Sequence, residues 1–336
     1  MNPPKPYVSI LIAARNEAEH LPTCLHSLVA QNYPTEKIEV LIGDDRSSDA
    51  TPEIAQSFAQ RYPHIRCLSI ATDQAGLRAK ANVLYQLARQ AQGQWLLVTD
   101  ADTVLPPDWI AGILQKPYKP QLGIRTALTL PTGENTFAQV QCLDWLTALS
   151  INHWASQQGK PLAAMGNNML VRAAAYHAIG GYAAIPFSIT EDFALFRALL
   201  QAGWQYESFL KAQTLVRTRA EKDFFALLRQ RRRWIRGAFE VGGVGVWAGV
   251  LACVQVVVWV LVVIQLPLLG SGLLGLLWFI WGLGLWLLCR RLALDEIRLS
   301  VIWFYPPYAL LMYGVFLVDY LLTFKKGIYW RDRVVI

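Results

Sequence analysis

The sequence has few charged residues: they occupy 16% of its 336 positions, whereas hydrophobic residues occupy 54%. That composition is too apolar for an ordinary soluble enzyme. The shortage of charged residues is greatest in residues 241–289, where 49 consecutive positions contain no Asp, Glu, Lys, Arg or His. A membrane-spanning helix needs about 20 apolar residues. This stretch is therefore predicted to contain two spans, and the chain to be an integral membrane protein.

The predicted spans are Val246–Leu266 and Leu273–Cys289, a hairpin around Pro267–Gly272, and a third apolar segment covers Val301–Phe324. The topology of the third segment stays open. A full crossing would place the basic tail outside, against the positive-inside rule, whereas a break at Pro306-Pro307 would return it to the cytoplasm. The predicted domains are a catalytic head at 1–222, an amphipathic interfacial helix at 223–240, a transmembrane region at 241–324 and a basic tail at 325–336.

The cysteine spacing, the N-terminal residues and the distribution of basic residues further limit the kinds of site, location and partner that we expect. The five cysteines show no C-x-x-C spacing, so neither a zinc site nor a disulfide framework is indicated. The N-terminal residues lack a cleavable signal pattern, so we expect the head on the cytoplasmic side of a bacterial membrane. The net charge is +7, but the basic residues are concentrated beside the apolar segments. This distribution favours a surface of anionic lipid headgroups as the partner, and we expect no nucleic-acid partner.

The head contains neither a G-x-G-x-x-G nor a Walker A sequence, but its segments alternate between apolar strands and helices. This alternation predicts a Rossmann-like α/β head with a parallel sheet covered on both faces. The predicted strands are Tyr7–Ala13, Ile38–Gly43, Ile65–Ala71, Trp95–Val98, Leu122–Leu130 and Met165–Val171. The predicted helices are Ala18–Ala30, Pro52–Arg61, Leu77–Gln90, Thr136–Ser150, Ile189–Ala202 and Asp223–Gly237, with Thr51 and Thr190 as N-caps of two of them.

Two carboxylates follow the predicted strand Trp95–Val98. Asp100 and Asp102 stand where that strand should emerge into a crevice, the position at which open α/β sheets bind ligands. Carboxylates spaced in this way suit a hard divalent cation that carries phosphate. Thr190, Glu191 and Asp192 open a later helix, and helix capping together with the helix dipole could explain them on structural grounds alone.

Four sequence signatures occur in order along residues 7–240. They are the NE of ILIAARNE with the segment DDRSSDAT, DAD at 100–102, TED at 190–192, and Q-x-x-R-W formed by Gln230, Arg233 and Trp234. The chain thereby resembles the membrane-bound branch of the inverting family 2 glycosyltransferases, which have the GT-A fold. KAN at 80–82, GNNMLVR at 166–172 and YWRDR at 329–333 support the resemblance. Ala13-Ala14-Arg15 departs from the family pattern near the nucleobase.

The resemblance implies a nucleoside diphosphate sugar as donor, with UDP expected, and Mg²⁺ or Mn²⁺ as cofactor. Asp192 is implied as the general base, Asp45 as acceptor of a uracil N–H, and Asp102 with Asp100 as the metal site. The implied donor-binding residues are Ala13, Arg15, Glu17, Asp45, Lys80, Asp100, Ala101, Gln230, Arg233 and Trp234. The implied acceptor-side residues are Glu191, Asn167 and Trp234.

The sequence leaves open which molecule accepts the sugar. Three spans are few for a channel that exports polymer, and a basic interfacial helix would place the site at the membrane surface. We therefore expect transfer of one sugar to a hydroxyl of a membrane lipid. A polysaccharide synthase or elongating subunit is the alternative, followed by a polyprenyl-phosphate sugar synthase. A catalytically inactive head that acts as a membrane scaffold is a further alternative.

Overall fold

The computed structural model describes residues 7–115, 118–242, 267–323, 329–330 and 333–334. The chain divides into two compact units that are interleaved in sequence. The first comprises residues 1–129, 152–218 and 327–336, and the second comprises residues 130–151 and 219–326.

The strands are short and mostly buried. Their bounds are β1 Val8–Ala14, β2 Ile38–Asp44, β3 Ile65–Ser69, β4 Trp95–Asp100, β5 Leu122–Ala127, β6 Thr129–Thr132, β7 Asn168–Arg172, β8 Gln205–Phe209, β9 Val216–Arg219, β10 Tyr329–Trp330 and β11 Arg333–Val334. The helices that begin before residue 219 are α1 Leu21–Val29, α2 Thr51–Arg61, α3 Ala79–Gln90, α4 Trp109–Ile113, α5 Thr136–Gln157, α6 Ala173–Ala178 and α7 Glu191–Gln201.

A seven-stranded sheet forms the centre of the first unit, in the order β3-β2-β1-β4-β7-β5-β8. The four strands from β3 to β4 are parallel, as the strand–helix alternation predicts. Strand β7 is antiparallel to both of its neighbours, β4 and β5, so the sheet is mixed and the expectation of a wholly parallel sheet is wrong. Every residue of β1 and β2 is buried, which is typical of strands covered on both faces.

Three details differ from the sequence-based expectations. The predicted strand Leu122–Leu130 is interrupted at Leu128, which divides it into β5 and β6. Thr51 is the first residue of α2 rather than its N-cap; its hydroxyl donates to Asp49 Oδ1 at 2.5 Å. Thr190 does occupy the N-cap position of α7, but its side chain makes no capping hydrogen bond.

The second unit contains α8 Phe224–Val241, α9 Pro267–Arg291 and α10 Leu299–Thr323. Pro267–Gly272, predicted as a turn, lies instead in the first turns of α9, where proline is tolerated because those N–H groups have no helical partner. Gly282 lets α9 approach α10 closely, since a Cβ at this position would lie 2.6 Å from the Trp303 ring. The segment Val246–Leu266 lies outside the described residues.

Of the described helices, one passes the length and composition criteria for crossing a membrane. It covers Gly272–Arg291, and only 17% of its most apolar 18-residue stretch is buried. Its exposed side chains include Leu276, Phe279 and Ile280, each more than half exposed. A core helix of a soluble domain would bury most of that surface. The third predicted segment coincides with α10, which continues as one helix through Pro306-Pro307.

Candidate active site

The site in the first unit is built at the carboxyl ends of β1, β2 and β4. Strand β1 lies between the other two, and the register places Ala13 beside Gly43 of β2 and Asp100 of β4. Helix α3 packs closely on this part of the sheet, because a Cβ on Gly43 would lie 2.5 Å from Val83 Cγ1. The absence of a side chain at Gly43 thus helps to bring the start of α3, with Lys80, toward the ends of these strands.

Lys80 joins two of the predicted site segments. Its Nζ lies 2.6 Å from Asp100 Oδ1 at the end of β4 and 3.1 Å from Glu191 Oε1 at the start of α7. The Lys80 side chain is 16% exposed and the Glu191 side chain 9% exposed. The structure therefore brings together Lys80, Asp100 and Glu191, which the sequence analysis assigned to three separate segments.

Asp192, next to Glu191, is held by two backbone N–H groups. Gly166 N donates to its Oδ2 at 2.6 Å and Phe193 N donates to its Oδ1 at 2.8 Å. Gly166 approaches so closely that a Cβ there would lie 2.9 Å from Asp192 Cβ and 3.0 Å from Asp192 Oδ2. The carboxylate orientation is fixed by the loop before β7 as well as by its own helix.

Burial raises the pKa of Asp192 to about 6, and the negative charge of Glu191 contributes in the same direction. Lys80 and the two backbone N–H groups oppose this shift by favouring the charged form. A carboxylate with this pKa is ionised at neutral pH, yet it is a stronger base than an exposed Asp. These properties suit a group that accepts a proton from a hydroxyl.

Lys80 remains charged in this environment. Burial alone would lower its pKa, but the attraction of Asp100, Glu191 and Asp192 outweighs that effect and raises the pKa above its ordinary value. The Lys80 ammonium group thus interacts both with Asp100, a predicted metal ligand, and with Glu191 and Asp192 at the start of α7.

Asp100 and Asp102 are the two carboxylates that could ligate a divalent cation here. Asp100 is about one-third exposed, with a side-chain accessibility of 33%, and Asp102 is partly exposed just beyond β4. Among the described residues, no group of three or more His, Cys, Asp and Glu could hold a metal by protein ligands alone. Mg²⁺ characteristically takes one or two carboxylates and completes its shell with water and phosphate oxygens. The two aspartates fit an ion that arrives with a diphosphate.

At the end of β2, the residues predicted to contact the nucleobase are buried and hydrogen-bonded within the protein. The Asp45 side chain is fully buried, and its Oδ1 accepts a hydrogen bond from Arg46 Nε at 2.8 Å. Arg46 also donates to Asp73 Oδ1 at 2.7 Å. Arg15 is buried and donates to the Asp45 carbonyl oxygen at 2.5 Å. The contact between Asp45 and a uracil N–H stays a prediction.

The remaining first-unit residues lie along the same strand ends. The backbone N–H of Glu17 donates to Thr51 Oγ1 at 2.8 Å, which ties the β1 loop to α2. Ala101 is buried directly after β4. Asn167 is 7% exposed, and its Oδ1 is a buried acceptor without a hydrogen-bond partner in the described structure.

Gln230, Arg233 and Trp234 all lie on α8 in the second unit. Gln230 Nε2 donates to Glu221 Oε1 at 2.7 Å. The Trp234 ring packs edge-on against Trp145, with 5.1 Å between the ring centroids. These contacts hold Gln230 and Trp234 against other residues of the second unit. The binding of the donor by Gln230, Arg233 and Trp234 stays a prediction.

Several residues that shape the site were not predicted from the sequence. Gly166 and Arg46 contact the predicted site residues Asp192 and Asp45 directly, and both stand inside segments that carried the resemblance. Asp73 contacts Arg46. In the second unit, Arg231 forms an ion pair with Asp144 and covers the Trp234 ring at 4.6 Å. No spacing rule distinguishes Arg231 from the other arginines of this basic helix.

Comparison with known proteins gives the family. The family model described as Glycosyl transferase family 21 matches residues 2–335. The chain therefore belongs to glycosyl transferase family 21. The expected GT-A-type glycosyltransferase is confirmed, although the matching family is number 21 rather than number 2.

The relatives include a synthase of a glycolipid and a synthase of a polysaccharide. The chain is 29% identical over 242 residues to a beta-monoglucosyldiacylglycerol synthase of Trichormus variabilis, covering 70% of this chain and 49% of the relative. It is 27% identical over 237 residues to the poly-beta-1,6-N-acetyl-D-glucosamine synthase of Staphylococcus epidermidis, covering 70% and 55% of the two chains. The chain thus spans about half the length of these relatives.

Among solved structures, a mannosyltransferase from Pyrobaculum calidifontis, in complex with GDP-Man and Mn²⁺, has a similar fold. Its TM-score is 0.64 at 16% sequence identity, and the match covers 98% of this chain and 89% of the mannosyltransferase. At this identity the similarity establishes the fold. The α/β architecture is therefore that of a GT-A glycosyltransferase.

Proposed function

We propose that this chain transfers one sugar from a nucleoside diphosphate sugar to a hydroxyl group of a membrane lipid, with inversion at the anomeric carbon. The observation that carries the proposal is the site in which Asp192, with its pKa raised to about 6, lies beside Glu191, which Lys80 links to Asp100. A proton acceptor and a carboxylate pair that can hold a divalent cation against the leaving diphosphate are the two parts that such a transfer requires.

The proposed reaction is a single displacement. Asp192 takes the proton from the acceptor hydroxyl, the acceptor oxygen forms a bond to the anomeric carbon, and the bond from that carbon to the diphosphate oxygen breaks. The electron pair of that bond leaves with the nucleoside diphosphate. Proton transfer by a positioned base typically contributes about 10²–10⁴-fold to the rate.

Asp100 and Asp102 would hold Mg²⁺ or Mn²⁺, which when bound neutralises charge on the leaving diphosphate. Gly166 keeps the Asp192 carboxylate oriented through its N–H group. Arg233 would hold the diphosphate through a forked contact, with Gln230 beside it on α8, and Trp234 would border the acceptor. UDP is the expected nucleotide.

A lipid acceptor is supported by two observations. The apolar helix Gly272–Arg291 exposes most of its surface, as a helix in contact with lipid does. Helix α8 is amphipathic, and it presents arginines 229, 231, 232, 233 and 236 within one basic segment. Such helices lie in the membrane interface. We infer that the chain is an integral membrane protein with its catalytic unit on the cytoplasmic side.

The decisive experiment uses the full chain in proteoliposomes. Radiolabelled UDP-, GDP- and dTDP-sugars are tested in turn with Mg²⁺ or Mn²⁺ and a bacterial lipid extract, with Asp192→Asn as the inactive control. We expect label in an organic-soluble product that carries one sugar. A precipitable polymer of many sugars would instead support the polysaccharide synthase, to which a relative at 27% identity points. A product cleaved by mild acid would indicate a sugar linked to polyprenyl phosphate.

A further inference from the structure

We infer that Lys80 acts on the base rather than on the donor, as the counter-ion that keeps Asp192 ionised at neutral pH. The inference rests on the proposed function, because it assigns a positioning role within the same site. It differs from the expectation from the sequence, which placed Lys80 among the residues that bind the nucleotide sugar.

The first argument is the position of the ammonium group. Lys80 Nζ already contacts Asp100 Oδ1 at 2.6 Å and Glu191 Oε1 at 3.1 Å. These two contacts engage two of the three N–H donors of the ammonium group. The contact with Glu191 places the positive charge at the first turn of α7, one residue from Asp192. Lys80 therefore faces the carboxylate pair from α3.

The second argument is the charge balance around Asp192. The groups that interact with it include Glu191 and the N–H group of Phe193 on the same helix, Lys80 of α3, the N–H group of Gly166, and Tyr182. Burial, together with Glu191, raises the pKa of Tyr182 well above its ordinary value, so this hydroxyl stays neutral. Two adjacent carboxylates in a poorly solvated site repel each other. Lys80 is the cation that offsets this repulsion.

Two substitutions should therefore move the titration of Asp192 in opposite directions. Lys80→Met keeps most of the side-chain volume but removes the charge, so Asp192 should protonate at a higher pH. Glu191→Gln removes the like charge, so Asp192 should protonate at a lower pH. Lys80→Arg retains the cation and serves as the matched control. If the charge of Lys80 acted only on the donor, Lys80→Met would leave the titration of Asp192 unchanged.

The test is the pH dependence of kcat/KM for the acceptor, measured from about pH 5 to pH 9 with saturating divalent metal for every variant. We expect the acid limb to shift upward by at least about one pH unit for Lys80→Met, the low end of the effect of an adjacent opposite charge. It should shift downward for Glu191→Gln and stay in place for Lys80→Arg. An unchanged acid limb in Lys80→Met, combined with weaker nucleotide binding by calorimetry, would assign Lys80 to the donor and overturn the inference.

A second readout separates this inference from the proposed function. In protein labelled with ¹³C at Asp carboxyl groups, the signal missing from Asp192→Asn belongs to Asp192, and its titration reports protonation without any turnover. Opposite shifts of that signal in Lys80→Met and Glu191→Gln would support the inference even if no sugar transfer were found. If Lys80→Met does not fold, Lys80→Gln, which also removes the charge, takes its place: an acid limb and an Asp192 signal that do not move upward in that variant overturn the inference.

Discussion

Replacing Asp192 with Asn should make the protein inactive and more stable at the same time. The substitution preserves the side-chain size but removes both the negative charge and the ability to accept a proton. Because Asp192 is only partly exposed to solvent and lies beside Glu191, ionising it has a cost that the folded protein carries at neutral pH. An Asn at this position avoids that cost.

The magnitude follows from the pKa. Asp192 has a pKa of about 6 in the folded protein against an ordinary value of 3.8. About two units at about 1.4 kcal/mol each correspond to about 3 kcal/mol of destabilisation well above pH 6. The amide nitrogen of Asn cannot accept from an N–H group, so one of the two bonds from Gly166 and Phe193 is lost, at a cost of about 1 kcal/mol. The expected net gain is about 2 kcal/mol at pH 8.

The sign of the stability difference between Asp192→Asn and wild type depends on pH. A carboxyl group whose folded pKa is raised contributes stability that is present at low pH and is lost as the pH rises through about 6. Wild type and Asp192→Asn should therefore differ most at pH 8. Near pH 4 the wild-type carboxyl is protonated in the folded state, and the advantage of the variant should disappear or reverse.

The assays are thermal unfolding at pH 4, 6.5 and 8, turnover of the donor, and nucleotide binding by calorimetry. We expect a higher melting temperature for Asp192→Asn at pH 8, a loss of kcat of at least ~10², and nearly normal UDP binding. Asp108→Asn, a substitution of an exposed carboxylate that accepts from Asn32, is the matched control and should change neither quantity. A variant that is less stable at every pH, or that no longer binds UDP, would show that Asp192 is a structural residue.

Three further substitutions test other parts of the site. Asp102→Ala should abolish turnover and metal-dependent nucleotide binding in calorimetry, and activity undiminished in excess EDTA would contradict a metal at this position. Gly166→Ala should lower kcat at least tenfold, with UDP binding retained, because the new Cβ would lie 3.0 Å from Asp192 Oδ2; Gly275→Ala, with nothing within 4 Å, is its control. Arg46→Gln should weaken nucleotide binding, because the buried Asp45 loses its ion-pair partner; unchanged affinity would place this pair outside the nucleotide site.

Most strands of the first unit could be predicted because they are apolar runs between polar segments, whereas β8 (QYESF) and β9 (VRTR) contain many polar residues and were not predicted. The predicted strand Ile38–Gly43 differs from the observed β2 by one residue. The direction of β7 could not be predicted, since its hydrophobic pattern is the same whether the strand pairs parallel or antiparallel. Only the path of the chain between α5 and β7 sets that direction. The assignment of residues 130–151 to the second unit has the same origin, because it depends on tertiary contacts.

The site residues could be predicted individually but not as a connected arrangement. Lys80, Asp100 and Glu191 come from segments far apart in the sequence, and a lysine in KAN carries no signal that identifies its partner. Similarly, Asp45 was expected to accept a uracil N–H, which stays a prediction, and its pairing with Arg46 could not be read from the sequence. Pairwise contacts between distant segments are the information that a single sequence lacks.

The remaining question about Thr190-Glu191-Asp192 is whether helix capping accounts for these residues. In the structure, the Thr190 side chain makes no capping bond to α7, and Asp192 receives a hydrogen bond from Gly166 in a different segment. Glu191 is paired with Lys80, which also holds Asp100 of the sheet. A carboxylate that only stabilised the helix N-terminus would be favoured by exposure to solvent, where charging it costs little. Here loss of solvation and the charge of Glu191 raise the pKa of the partly exposed Asp192, so this arrangement lowers stability and increases basicity, as expected of a group that takes part in proton transfer.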